Sequence, residues 1–71
     1  MSALDTQEGG NHYKKYVIQP VEFIVKNDIA FLEANIIKYA IRHRDKNQVE
    51  DLKKVIHYAK IALEMYYGYT E

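Results

Sequence analysis

Apolar positions recur along this chain with helical spacing, in three blocks. Val21, Ile24 and Val25 follow Pro20, a residue type favoured in the first turn of a helix, and their stripe stops at Asn27-Asp28. Ile36, Ile37, Ala40 and Ile41 mark a second helix, expected over about residues 29–44 with Asp28 as its cap. A third helix is predicted over about residues 48–67, ending near Gly68. Its core stripe is Leu52, Val55, Ile56, Ala59, Ala62, Leu63 and Tyr66, and its solvent stripe is Lys53, His57, Lys60 and Glu64. Asp45-Lys46-Asn47 is the break between the last two helices, and Asn47 followed by Glu50 has the chemistry of a capping box with asparagine in place of Ser or Thr.

Residues 11–19 carry no clean period and read as an extended arm or short turn. Residues 1–10 are polar, end in Gly9-Gly10, and read as a flexible lead-in. No internal repeat or long linker divides the rest, so residues 11–71 form one domain. The expected fold is all-α: a small helical hairpin or three-helix domain with an extended N-terminal arm. The short break makes the second and third helices antiparallel.

The second helix carries more than its apolar stripe. Asn35, Lys38, Tyr39 and Arg42 fall at i, i+3, i+4 and i+7, sharing a face opposite the isoleucines. One apolar stripe is enough to join a core, so a second stripe of an amide, two cations and an aromatic ring points to a ligand. The third helix has a matching stripe of Asp51, Lys54, Tyr58, Ile61 and Met65, polar at its start and apolar at its end. In an antiparallel pair Arg42 lies near Asp51 and Lys54, Asn35 lies nearer Tyr58, and the two stripes can meet along one groove.

Size and charge narrow the picture. At 71 residues the chain is near the lower limit for a self-sufficient core, and with no cysteine it has no disulfide or thiolate metal site to staple it. Self-association is the remaining common device, so a homo-oligomer, dimer or tetramer, is expected. Ten basic residues balance ten acidic ones, which argues against a protein that coats DNA or RNA polymers. His12, His43 and His57 show no HxxxH or HxxE spacing, so no metal or cofactor is expected. No apolar run approaches the roughly 18 to 20 residues that span a bilayer. The first residues lack the pattern of a signal peptide, and a cytosolic location is expected.

Lys38, Arg42, Lys46 and Lys54 form a candidate phosphate site, in which an arginine grips with two parallel donors and a lysine acts as a point charge. Tyr39 and Tyr58 can stack on bases, and Asn35 can read a base edge. His12 and Tyr13 on the arm can close over the ligand. The same residues also suit ordinary roles: solvated cations, tyrosines at a core edge, Asp51 as a first-turn carboxylate on the helix dipole, and Ile61 and Met65 as an oligomer seam. Catalysis has less support. Gly9-Gly10 is followed by Asn11-His12, so there is no P-loop; Glu50 and Asp51 point in different directions; Ser2 is the one serine. The residues are equipped for binding.

Gly10-x-His12-Tyr13, Gln19-Pro20, Asn35-x-x-Lys38-Tyr39-x-x-Arg42, Lys46, and Asp51-Leu52-x-Lys54 with Tyr58 together resemble the SaV-like family of small phage proteins. The resemblance runs from about residue 9 to 66. It departs at Ala34, where that family often has glycine. It implies nucleotide binding by two routes: a related segment in a phage nucleotide kinase of the T-odd type, and stand-alone immune-evasion sponges that hold the cyclic nucleotide signals of CBASS defence uncleaved. The present chain is little more than the shared segment. The resemblance therefore favours a sponge for a cyclic dinucleotide or related nucleotide, acting in the cytoplasm of an infected bacterium. Arg42, Lys38, Lys46 and Lys54 would neutralise phosphates; Tyr39, Tyr58 and Tyr13 would stack; Asn35 would read an edge; His12 and Asp51 would bond ligand or orient the cations. The alternatives are a nucleoside monophosphate kinase or a domain of one, and an adaptor binding a host protein through Tyr66-Tyr67-Gly68-Tyr69.

Overall fold

The computed structural model describes residues 15–70, and His12 and Tyr13 lie outside them together with the lead-in and the start of the expected arm. Three helices follow in order: α1 (Pro20–Lys26), α2 (Phe31–Arg42) and α3 (Val49–Tyr67), with a single 3₁₀ turn, His43–Asp45, after α2. No strand occurs among the described residues, so the chain is a small all-helical protein. Within them, no helix is long and apolar enough to cross a membrane.

Pro20 opens α1 as expected, its fixed φ and missing N–H costing nothing in a first turn. The end of α1 corrects the role expected of Asp28. That residue adopts a left-handed φ of 50°, which aspartate tolerates better than most side chains. The Asp28 N–H donates to the Val25 carbonyl at 3.2 Å and the Ile29 N–H to Ile24 at 3.0 Å, closing a Schellman motif. Asp28 thus stops α1 and does not cap α2, whose N-cap position is Ala30 with no side-chain bond.

The start of α3 differs in a similar way. Gln48, at φ 40°, holds the N-cap position, and no side chain caps there. The reciprocal bond of a capping box is supplied from one residue further on: the Asn47 N–H donates to the Asp51 carboxylate at 3.3 Å. Asp51 reaches back because its carboxylate is anchored inward, while Glu50 stays exposed and lies 3.9 Å from Lys53. At the far end Gly68 takes φ 64° and donates its N–H to Glu64 at 2.9 Å, ending α3 where its glycine predicts.

α2 and α3 pack as an antiparallel hairpin, paired from Arg42–Asp51 at the turn to Glu33–Tyr66 at the open end. There the Tyr66 hydroxyl donates to Glu33 at 3.0 Å, and that carboxylate raises the phenol's pKa by favouring its protonated form. α1 touches α2, and the Tyr16 hydroxyl donates to the Ile41 carbonyl at 3.3 Å. Lys15 pairs with Asp45, an exposed contact of small energetic weight that raises the lysine's pKa.

The hairpin bears out the meeting of the two polar stripes and the solvent stripe of Lys53, His57, Lys60 and Glu64, but corrects part of the expected core stripe of α3. The stripe that turns to α2 is Asp51, Lys54 and Tyr58. Of the expected core stripe, Leu52, Ile56 and Tyr66 are exposed, while Val55, Ala59, Ala62 and Leu63 are half-buried. Ile61 is half-buried and Met65 exposed. Among the described residues Leu32 is the one hydrophobic side chain counted as buried apart from Pro20, whereas Asp51 has no exposure at all. A carboxylate occupies the place that an aliphatic side chain fills in most domains.

Candidate functional site

Two helices converge on one salt bridge. Arg42 closes α2 and Asp51 lies in the first turn of α3, nine residues on, so the turn between them brings both to the crease of the hairpin. The guanidinium donates through Nε to Oδ2 at 3.1 Å and through Nη2 to Oδ1 at 3.1 Å, a forked pair. Asn47 adds its backbone N–H to Oδ2 at 3.3 Å and a longer side-chain contact of 3.5 Å to Oδ1. The Lys54 ammonium stands 3.9 Å from Oδ1. The Arg42 bonds hold the Asp51 carboxyl below the ordinary carboxylate value, outweighing the burial that pushes it up.

One turn before Arg42, Tyr39 gathers cations. The Arg42 guanidinium carbon is 4.6 Å from its ring centre, the Lys54 ammonium 4.8 Å and the Lys38 ammonium 5.1 Å. These distances suit attraction to the electron-rich ring. Lys38 forms no ion pair with any described residue. Lys54 has only the long approach to Asp51, whose oxygens are already engaged by Arg42 and Asn47. Both ammoniums are therefore placed to take an anion without breaking a strong bond.

An aromatic row leads away from the cations. Tyr39 stacks nearly parallel on Tyr58, with centres 6.0 Å apart and planes at 8°. Phe31 meets Tyr58 edge-on at 6.3 Å, and His57 tilts against it at 6.0 Å. Since the two tyrosines pack on each other, a planar group could reach only the outer part of this row. Phe31 is 71% exposed and extends the row into solvent.

The structure thus brings together Lys38, Tyr39, Arg42, Asp51, Lys54 and Tyr58. Asn35 stays on α2 and donates its side-chain amide to the Phe31 carbonyl at 2.9 Å, the ordinary i to i−4 bond. Lys46 lies exposed in the turn, and its side chain makes no hydrogen bond, ion pair or ring contact with a described residue. Two contributors were missed in the sequence. Asn47, four residues before Asp51, signals its role by that spacing; Phe31 gave no polar signal and reads only as a helix start. The described residues include no group of three or more His, Asp or Glu placed to hold a metal ion.

Residues 7–60 match the family model of DUF3310, described as a protein of unknown function. The chain belongs to the DUF3310 family. The matched span holds every member of the Tyr39 cluster and Asn47, and it stops within α3 at Lys60. No curated protein and no solved structure matches this family member.

Removing one partner of a buried pair strands the other charge. Asp51→Ala is expected to destabilise the fold by about 3–5 kcal/mol, comparable to the whole stability of a domain this small. The double variant Arg42→Met/Asp51→Leu should recover most of that loss, as read by urea unfolding followed by circular dichroism. The depressed carboxyl also fixes an acid limit. With the folded value below the unfolded one, the pair's stabilisation is complete above about pH 4 and is lost as pH falls through the folded value. Urea midpoints between about pH 5 and pH 2 should drop in the natural chain, and the double variant should lose that component of the slope.

Proposed function

We propose that this chain captures a small anionic nucleotide of the cyclic di- or trinucleotide class and holds it intact, as a phage immune-evasion sponge working as a homo-oligomer in the host cytoplasm. The observation that carries the reading is the pair of ammoniums, Lys38 and Lys54, drawn to one tyrosine ring from two helices beside a fixed Arg42–Asp51 bridge. Preset cations of this kind suit a phosphodiester, and the row through Tyr58 to the exposed Phe31 suits the attached base.

Zero net charge over the whole chain favours a small ligand over a polymer, because the positive potential is local. Retention is favoured over turnover because the sequence has no P-loop and no serine or cysteine nucleophile beyond Ser2. Arg42 is assigned the role of a strut that positions the lysines, while Lys46, Asn35, His12 and Tyr13 are assigned to the rim and the arm. A cyclic dinucleotide has approximate twofold symmetry, which suits an assembly of identical subunits.

Calorimetry against a panel of cyclic di- and trinucleotides tests this directly, with chromatography of the released ligand. At least one member should bind at micromolar protein and return unchanged. Lys38→Ala and Lys54→Ala should each weaken binding about tenfold with the helical spectrum retained, and added salt should weaken it further. Lys46→Ala should have the smaller effect. Absence of binding across the panel would sink the reading, and a phosphorylated product from a mononucleotide and a phosphate donor would replace it with a kinase.

A further inference from the structure

α3 carries a largely exposed apolar seam, whose last member, Tyr66, keeps its ring exposed while its hydroxyl bonds Glu33 of α2. Val49, Leu52, Ile56, Ala59, Leu63 and Tyr66 follow one another at steps of three, four, three, four and three residues, the alternation of a coiled-coil seam. Val49 is 62% exposed, Ile56 55%, Tyr66 46% and Leu52 44%, while Ala59 and Leu63 are half-buried. At 3.6 residues per turn, Leu52 and Ile56 lie about 120–160° around the helix from Lys54 and Tyr58. The exposed part of the seam and the cation cluster therefore occupy different faces of α3.

We infer that this seam binds a second copy of the chain, α3 against α3, in antiparallel register about a twofold axis between Ile56 and Ala59. The side-chain volumes select that partner and that direction. Antiparallel pairing sets Val49 against the partner's Tyr66, Leu52 against the partner's Leu63, and Ile56 against the partner's Ala59, so small residues meet large ones in each unequal layer. Parallel pairing would put alanine on alanine and tyrosine on tyrosine, leaving one layer empty and another overfilled. Along one flank Lys53 and Lys60 offer stems that cover apolar surface while their ammoniums stay in water. Along the other, half-buried Val55 and Ala62 lead to α2, so two hairpins close as a four-helix bundle.

The seam alone is a strip of about 260 Å², so a stable dimer needs the flanks of both hairpins as well. The seam is about 26 Å long on a helix about 10 Å wide, and the flanking helices extend it toward the roughly 800 Å² per partner of a standard interface. This inference rests on the homo-oligomer in the proposed function but not on its ligand, since the cation cluster stays outside the seam.

The chain has no cysteine, so a single cysteine introduced at exposed Glu50 or His57 takes one nitroxide label on an otherwise natural chain. The protein should be a dimer by sedimentation, and the label-to-label distance at position 50 should exceed that at position 57 by roughly 10 Å. Ile56→Lys should weaken association at least about a hundredfold while leaving helical content unchanged. Equal distances at the two positions would overturn the antiparallel register. A monomer, or an oligomer indifferent to Ile56→Lys, would overturn the seam itself. If an oligomer persists with neither distance pattern, the seam fails while the homo-oligomer stands, and nucleotide binding is judged by calorimetry in either case.

Discussion

The hairpin depends on one buried ion pair, in which the Asp51 carboxylate has no exposure to water. Burying Asp51 removes it from solvent, and the cost is recovered only because Arg42 meets it with a fork of two bonds and Asn47 supplies a backbone donor. Each of those bonds also fixes geometry. Arg42 ties the last turn of α2 to the first turn of α3, Asn47 sets the start of α3, and the guanidinium lies on the face of Tyr39 one turn back. Lys54, one turn beyond Asp51, is carried to the other approach of the same ring. A core with so little aliphatic burial is specified in direction by this bridge, whereas apolar contact alone leaves helices freer to rotate.

The same constraint decides which faces remain available. Because the face of α3 turned to α2 is centred on Asp51, only part of its apolar stripe is covered, and the chain presents Val49, Leu52 and Ile56 to the outside. One helix then serves two surfaces: a basic and aromatic crease within the hairpin, and an apolar seam on a different face. The proposed ligand capture and self-association would be compatible, since the two surfaces lie on different faces of the helix.

Much of this was legible in the sequence, and the exceptions share a cause. Pro20 and Gly68 mark helix ends through fixed backbone preferences, which act locally and read reliably. The shared face of Lys38, Tyr39 and Arg42, and its meeting with Asp51, Lys54 and Tyr58, follow from helical period and a short turn. What period does not convey is which of two stripes faces inward. Apolar content pointed to Leu52 and Ile56, but the inward face is centred on Asp51 and the forked bond, which keeps Val55, Ala59, Ala62 and Leu63 half-buried and leaves Leu52 and Ile56 outside. Asp28 and Asn47 have the composition of caps. Whether such a residue closes the helix before it, opens the helix after it or holds a neighbour's carboxylate depends on backbone angles no side chain announces. Lys46 and Asn35 fit the pattern but not the cluster, for lack of a contact that only the packed helices determine.

In the proposed function a rigid Arg42–Asp51 bridge presents Lys38 and Lys54 to a phosphodiester. A crystal structure of the chain with a bound cyclic dinucleotide tests it most directly. Phosphate oxygens should lie within hydrogen-bond distance of the Lys38 and Lys54 ammoniums, with a base against the Phe31–Tyr58 row and the Arg42–Asp51 fork unbroken. A ligand seated away from both lysines, or one that pulls Arg42 off Asp51 to reach its phosphate, would contradict it.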